Sequence, residues 1–208
     1  MIKEIQFHVF ETKTRKEVNK FMRLSNIINK IKQGDEYTDF IRAARAGQVD
    51  MTYYQAFESQ RECILWNANS VFSKTADKKV MLGLVHMHKD NMDEVLIGSF
   101  KGILKTLDCV VCVFTSIDGK GIECLVRRDG VTPKNFERVW QEINDSIGLE
   151  FTFTALENSE PTLISYDPSI YFNPMASSFQ AKKPIPIKAI KAPPTPKNQI
   201  ISVIVNPS

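Results

Sequence analysis

Two apolar, β-branched runs, residues 109–115 and 122–128, flank the six residues Ser116-Ile117-Asp118-Gly119-Lys120-Gly121. Strands of this kind, joined by a short glycine-bearing segment, make a hairpin. The chain therefore needs a sheet around them, and the flanking periodicity supplies it. Residues 79–88 read as a strand. Residues 93–105 read as a helix with Val95, Leu96, Phe100 and Leu104 on its apolar side. Thr132-Pro133 starts a second helix, a cap followed by proline at the first helical position. That helix carries Phe136, Val139, Trp140, Ile143 and Ile147 at 3.6-residue spacing and stops at Gly148. Residues 149–154 alternate as a strand, and 162–166 form a further short one. The order β-α-β-β-α-β predicts an α+β fold of the ferredoxin-like, split-βαβ kind, shared with RNA-recognition domains. An antiparallel sheet would carry both helices on one face and leave the other face open.

The N-terminal third reads as a helical extension behind a strand at 2–10. Ser25 is placed to cap a helix bearing Ile27, Ile28 and Ile31 and ending at Gly34. A second helix spans 35–46, with Phe40, Ile41 and Ala44 inward, and a third spans 51–60. The domain is expected over 1–178, with the helical lead-in at about 15–60 and the core at about 79–172. From about Asn173 the composition changes, because eight of the ten prolines lie between 168 and 208. Residues 179–208 are expected to be a disordered, extended, polyproline-like basic tail. The tail ends in the apolar stretch Ile200-Ile201-Ser202-Val203-Ile204-Val205, which either pairs with the domain's own sheet or adds a strand to a partner.

Composition excludes several classes. No apolar run approaches the roughly 20 residues of a membrane span, and the first residues do not read as a secretory signal. The net charge of +3 conceals an asymmetry. Residues 1–167 carry 22 Lys/Arg against 24 Asp/Glu, whereas 168–208 carry five lysines and no acid. A nearly neutral body does not advertise non-specific DNA binding, which needs a clustered basic face. Cys109 and Cys112 have the spacing of a redox or zinc site, but three residues apart along a strand they point to opposite faces. Buried, inert thiols and a reduced, cytoplasmic setting are expected.

Two stretches carry candidate chemistry. Ser116, Gly119, Lys120 and Gly121 form a turn whose backbone N–H groups suit either a phosphate or a plain hairpin. His86, His88 and Asp90 alternate onto one strand face, where they suit a metal or simply a solvated polar surface. Glu123, across the hairpin layout, is placed to approach His88 and Asp90.

Several stretches resemble, in order, the VirE N-terminal-like domains of bacterial mobile elements and phages, members of the archaeo-eukaryotic primase-polymerase superfamily. Residues 25–34 look like the leading helix. Gly83-Leu84-Val85 opens the strand that in the family ends in an Asp-x-Asp metal motif, and Ser116-x-x-Gly119-x-Gly121 looks like the phosphate-contacting motif. Ser165-Tyr166-Asp167-Pro168-Ser169-Ile170-Tyr171-Phe172-Asn173-Pro174 looks like the closing segment, and the resemblance covers about residues 15–178. The chain also departs from the family. The Asp-x-Asp slot reads His88-Lys89-Asp90, and Glu123 stands where a cation is usual. Thr152 stands at the third acidic position, and Glu160 at a family arginine. Hard Mg or Mn ions need oxygen ligands, so the resemblance implies a catalytically degenerate domain with Asp90, His88 and Glu123 as remnants. No cofactor is expected, and a divalent metal (Mg or Mn, at His88 and Asp90) belongs only to a catalytic version.

The function implied is a nucleic-acid-binding or replication-accessory module of a phage or mobile element, acting in the bacterial cytoplasm. Single-stranded or primed DNA and a separate helicase or other replication protein are its expected partners. The alternatives are an active nucleotidyltransferase with a His/Asp/Glu metal site and a scaffold that recruits a partner through its tail at Ile200, Ile201, Val203, Ile204 and Val205.

Overall fold

The computed structural model describes residues 2–11, 18–58, 61–72, 77–156 and 161–181. In chain order these form β1 (Gln6–Phe10), β2 (Val18–Arg23), α1 (Leu24–Gln33), α2 (Thr38–Arg45), α3 (Met51–Glu58), β3 (Cys63–Ile64), β4 (Ala68–Phe72), β5 (Asp77–Met81), β6 (Leu84–Lys89), α4 (Glu94–Leu104), β7 (Val110–Thr115), β8 (Ile122–Arg127), α5 (Phe136–Ile147), β9 (Thr162–Leu163) and β10 (Tyr171–Phe172). The fold is α+β, with antiparallel pairing throughout. One four-stranded sheet has the order β2-β1-β3-β9, a second has the order β10-β7-β8-β6, and β4-β5 form a separate hairpin. Beyond β6 the second sheet gains one more contact, an antiparallel bridge between His88 and Thr152.

The β7–β8 hairpin lies at the centre of this second sheet, as its apolar runs require. Its residues point alternately to two different cores. Val85, Met87, Val113, Ile122, Cys124 and Val126 pack beneath α4 and α5. The inward stripe of α5 is the predicted one, since Phe136, Val139, Trp140, Ile143 and Ile147 are all buried. Each such side chain contributes about 1.5–3 kcal/mol when fully removed from water. The inward stripe of α4 differs from expectation. Ile97 and Leu104 are buried, whereas Val95 and Leu96 are exposed. Asp93 caps the helix by accepting from the Leu96 N–H, and that start sets the rotation that turns Ile97 inward.

The opposite face of the sheet is covered, which corrects the expectation of an open face. Leu84, Cys112, Phe114 and Leu125 share a core with Phe7 and Val9 of β1, Ile64 and Trp66 near β3, and Ile27, Ile28 and Ile31 of α1. The lead-in is thus partly a sheet, and its apolar side caps the second sheet. Other boundaries also shift. The run 79–88 divides into β5 and β6, which belong to different sheets. Ser25 lies inside α1, which begins after Arg23 without a side-chain cap. The helix expected at Thr132-Pro133 begins at Phe136, after Asn135. Residues 149–154 contribute only the bridge at Thr152, because Glu150 has a φ of 52° and breaks the extended path. The thiols of Cys63, Cys112 and Cys124 are buried and that of Cys109 is half-buried; none is in a disulfide. Burial raises the pKa of Cys109, Cys112 and Cys124. Among the described residues no helix is long and apolar enough to cross a membrane.

Candidate functional site

The polar residues of the second sheet gather at one end of the face turned toward the N-terminal layer. His88 on β6 opposes Glu123 on β8, which in turn opposes Phe114 on β7. On the far side, the His88 carbonyl accepts from the Thr152 N–H at 2.8 Å. Thr152, His88, Glu123 and Phe114 therefore form one transverse row. Glu123 does not bond to His88. Its Oε2 is hydrogen-bonded to Nε2 of His86, one pleat further along β6. The His86 and His88 rings stack 5.9 Å apart, and Trp66 lies 6.3 Å beyond His86. His88 Nε2 lies 3.7 Å from Asp90 Oδ2. Burial, reinforced by His86, lowers the pKa of His88 and favours its neutral form, against the opposing pull of Glu123 and Asp90.

The Ser116–Gly121 turn closes next to this row. The Ser116 N–H donates to the Gly121 carbonyl at 2.9 Å, and the Gly119 N–H to the Ser116 carbonyl at 3.0 Å. Asp118 accepts from the Ser116 hydroxyl at 2.6 Å and from the Lys120 N–H at 3.0 Å. Three backbone N–H groups of the turn are thus engaged within it, and Asp118 adds a negative charge. The two glycines have separate reasons. Gly119 has a φ of 74°, and a Cβ there would lie 2.9 Å from the Arg45 side chain. A Cβ on Gly121 would lie 2.5 Å from the Lys89 carbonyl oxygen, so glycine lets the turn press against the end of β6.

Arg45, which the sequence did not single out, ties this turn to two other segments. Its Nη2 donates to the Ser116 carbonyl at 2.7 Å and to the Ser165 hydroxyl at 3.0 Å, and its Nε to the Ile117 carbonyl at 3.1 Å. Burial lowers its pKa, opposed by Asp167 and Asp118. The segment beginning at Ser165 is equally tied down. Asp167 accepts from the Thr115 N–H at 2.7 Å, from Lys101 Nζ at 2.6 Å, and from both the N–H and the hydroxyl of Ser169. Burial alone would raise the Asp167 pKa, but Lys101, the Thr115 N–H and Ser169 outweigh it and hold the carboxylate below its ordinary range. The signal for these anchors lay in the Ser-Tyr-Asp-Pro segment. Nothing local marked Arg45 or Lys101 as its partners.

Between α3 and the turn lies a cavity of about 200 Å³, lined by Tyr54, Asp90, Phe114, Ser116, Asp118 and Glu123 among others. The structure thus brings Asp90, Glu123, Ser116 and Asp118 onto one cavity wall, while Lys120 lines a neighbouring one. Among the described residues no three His, Cys, Asp or Glu side chains are grouped as a metal ion requires. The pair expected to hold a metal, His88 and Asp90, brings one carboxylate by itself, fewer oxygen ligands than Mg or Mn takes. The tail residues Ile200, Ile201, Val203, Ile204 and Val205, and Glu160, lie outside the described residues. Compared with protein-family models, curated proteins and solved structures, the chain finds no match.

Proposed function

We propose that this chain is a primase-polymerase-like domain of the VirE N-terminal kind that has lost nucleotide-joining chemistry and serves as a nucleic-acid-binding, replication-accessory module. One observation carries the reading. Three of the positions where the resemblance expects metal-site and phosphate-site residues, 88, 123 and 152, are far apart in sequence. They are neighbours in one row across three adjacent segments. The strand order supports it too. Reading inward from Thr152, the succession β6, β8, β7, with α4 and α5 on one face, agrees with a ferredoxin-like split βαβ core carrying β10 as an added edge. The packed lead-in leaves a cavity beside the glycine turn at the polar end of the row.

The loss of chemistry follows from the residues in the row. Metal-assisted transfer needs carboxylates to hold ions that neutralise the transferring phosphate. Here His88 and Thr152 supply none, and Glu123 is bound to His86. Lys120, which lines the neighbouring cavity, leaves a contact to a polyanion as the remaining role. The test is fluorescence anisotropy with labelled single-stranded and primed DNA, at salt from about 50 to 200 mM. Binding should weaken steeply as salt rises, and primer extension should be undetectable with Mg or Mn. A chain that ignores DNA at the lowest salt would end the binding proposal, and one that extends a primer would end the claim of lost chemistry.

A further inference from the structure

We propose that the cavity between α3 and the Ser116–Gly121 turn receives one unpaired base of a single-stranded nucleic acid and prefers bases rich in hydrogen-bond donors. This rests on the nucleic-acid-binding reading and names what that site selects.

The cavity has two chambers that share Tyr54 and Asp118 as a common wall. The inner chamber, about 200 Å³, is lined by three carboxylates, those of Asp90, Asp118 and Glu123, and by no cationic side chain. Ionised carboxylates only accept hydrogen bonds. Glu123 is about nine-tenths buried and lines this chamber. Its Oε2 is held by His86, and among the described residues no other hydrogen bond reaches the carboxylate, so Oε1 is left to face the chamber as an acceptor. The hydroxyls on the wall do not reverse this polarity. Ser116 donates to Asp118, and Ser165 donates to the Thr115 carbonyl. The inner chamber therefore presents acceptors, and its occupant must bring N–H groups. A phosphate, itself acceptor-only at neutral pH, is repelled.

The outer chamber, about 380 Å³, adds one cation, with Lys120 on its wall beside Ala44, Val49 and the shared Asp118. A nucleotide within a strand matches both halves. Its base is flat and carries N–H donors, Tyr54 lines both chambers as an aromatic wall, and the attached phosphate reaches Lys120. Base–aromatic stacking of this kind binds single strands with little regard to sequence. Selection comes from the acceptors. Cytosine carries an exocyclic amino group, whereas thymine, of similar size, offers in its place a carbonyl oxygen that the carboxylates repel.

The experiment compares oligo-dC with oligo-dT of equal length on the full chain, by anisotropy at several salt concentrations. Oligo-dC should bind about tenfold more tightly. Asp90→Asn, which replaces one acceptor oxygen with a donor, should shrink that ratio. Tyr54→Ala should weaken both oligonucleotides about tenfold while leaving the salt slope unchanged. Lys120→Ala should leave the dC/dT ratio intact and reduce the slope of log K against log salt by about 0.7. Thermal unfolding of each variant checks that it is folded. Equal binding of dC and dT by the wild type, or a ratio that Asp90→Asn leaves unmoved, overturns the base pocket while the nucleic-acid reading stands. Absence of binding to either oligonucleotide at low salt overturns both.

Discussion

The two faces of the second sheet are similarly buried and differ sharply in chemistry. Toward α4 and α5, β6 and β8 present Val85, Met87, Ile122, Cys124 and Val126, an apolar surface that ends at Lys89, whose ammonium lies over Phe100. Toward the N-terminal layer the same strands begin with Leu84 and Leu125 and end with His86, His88 and Glu123. The first face is explained by packing alone. The second is not, because a buried carboxylate and imidazole cost desolvation that their pairing only partly offsets. Polar groups kept at one end of an otherwise apolar face support the proposed site there, and their apolar continuation packs against the N-terminal layer as against a cap.

Substitutions can break this contrast, beginning with the largest expected effect. On the apolar face, Trp140 is buried and meets Phe153 edge-on at 5.0 Å between ring centroids. Trp140→Ala should destabilise the fold by about 3–5 kcal/mol, read from the urea midpoint, with little change in DNA affinity once folding is restored at low temperature. A small loss would mean that α5 is not the main lid of that core.

Next is Asp167, which joins β7 to α4 at the border of the two layers. Asp167→Asn should cost about 2 kcal/mol at neutral pH, as expected for hydrogen bonds to a charged group. Because the folded carboxylate has a depressed pKa, its contribution is fully present above the ordinary Asp pKa of about 3.9. It is lost as the pH falls through the lower, folded-state value. The wild type should therefore lose stability in acid more steeply than Asp167→Asn, and parallel acid limbs would remove Asp167 from the account.

Arg45→Ala tests the flap formed by α2 and α3, which rests on a small cluster of Ile41, Phe57 and Tyr166. The expected cost is about 1–3 kcal/mol. It should appear mainly as faster amide exchange in residues 38–58 and hardly at all in β7 or β8. Uniform acceleration across the sheet would show that the flap is not a separate unit.

The smallest effect is the most informative about the polar end. Replacing His86 and Glu123 together by leucine should leave stability within about 1 kcal/mol of the wild type, or raise it, because a buried polar pair replaced by apolar residues often loses nothing. The same double variant should lose its preference for oligo-dC. A large destabilisation would make the pair structural and weaken the case for a site.

The hairpin of β7 and β8, the stripe of α5 and the three isoleucines of α1 were legible because each carries its own period. The cap over the second sheet was legible in β1, which the strand expected at 2–10 contains, but not as a whole, because its other strands are short or polar. β3 has two residues, and β2 reads Val-Asn-Lys-Phe-Met-Arg with Phe21 exposed. Such strands are ordered by the neighbours they pair with, and a single chain does not show those neighbours to a local reading. The same holds within the site. His88, Asp90, Glu123 and the glycine turn were visible as residue types, but the pairing of Glu123 with His86 depended on register, where a shift of one residue moves every side chain to the other face.

Residue order alone thus determined where the apolar periods run and where the turns must fall, because these depend on neighbours within a few positions. Tertiary structure decided that both sheet faces are covered, that Arg45 and Lys101 hold the segment beginning at Ser165, and that three carboxylates share a chamber without a cation. Those outcomes depend on distances between residues tens of positions apart, and only the closed fold sets such distances.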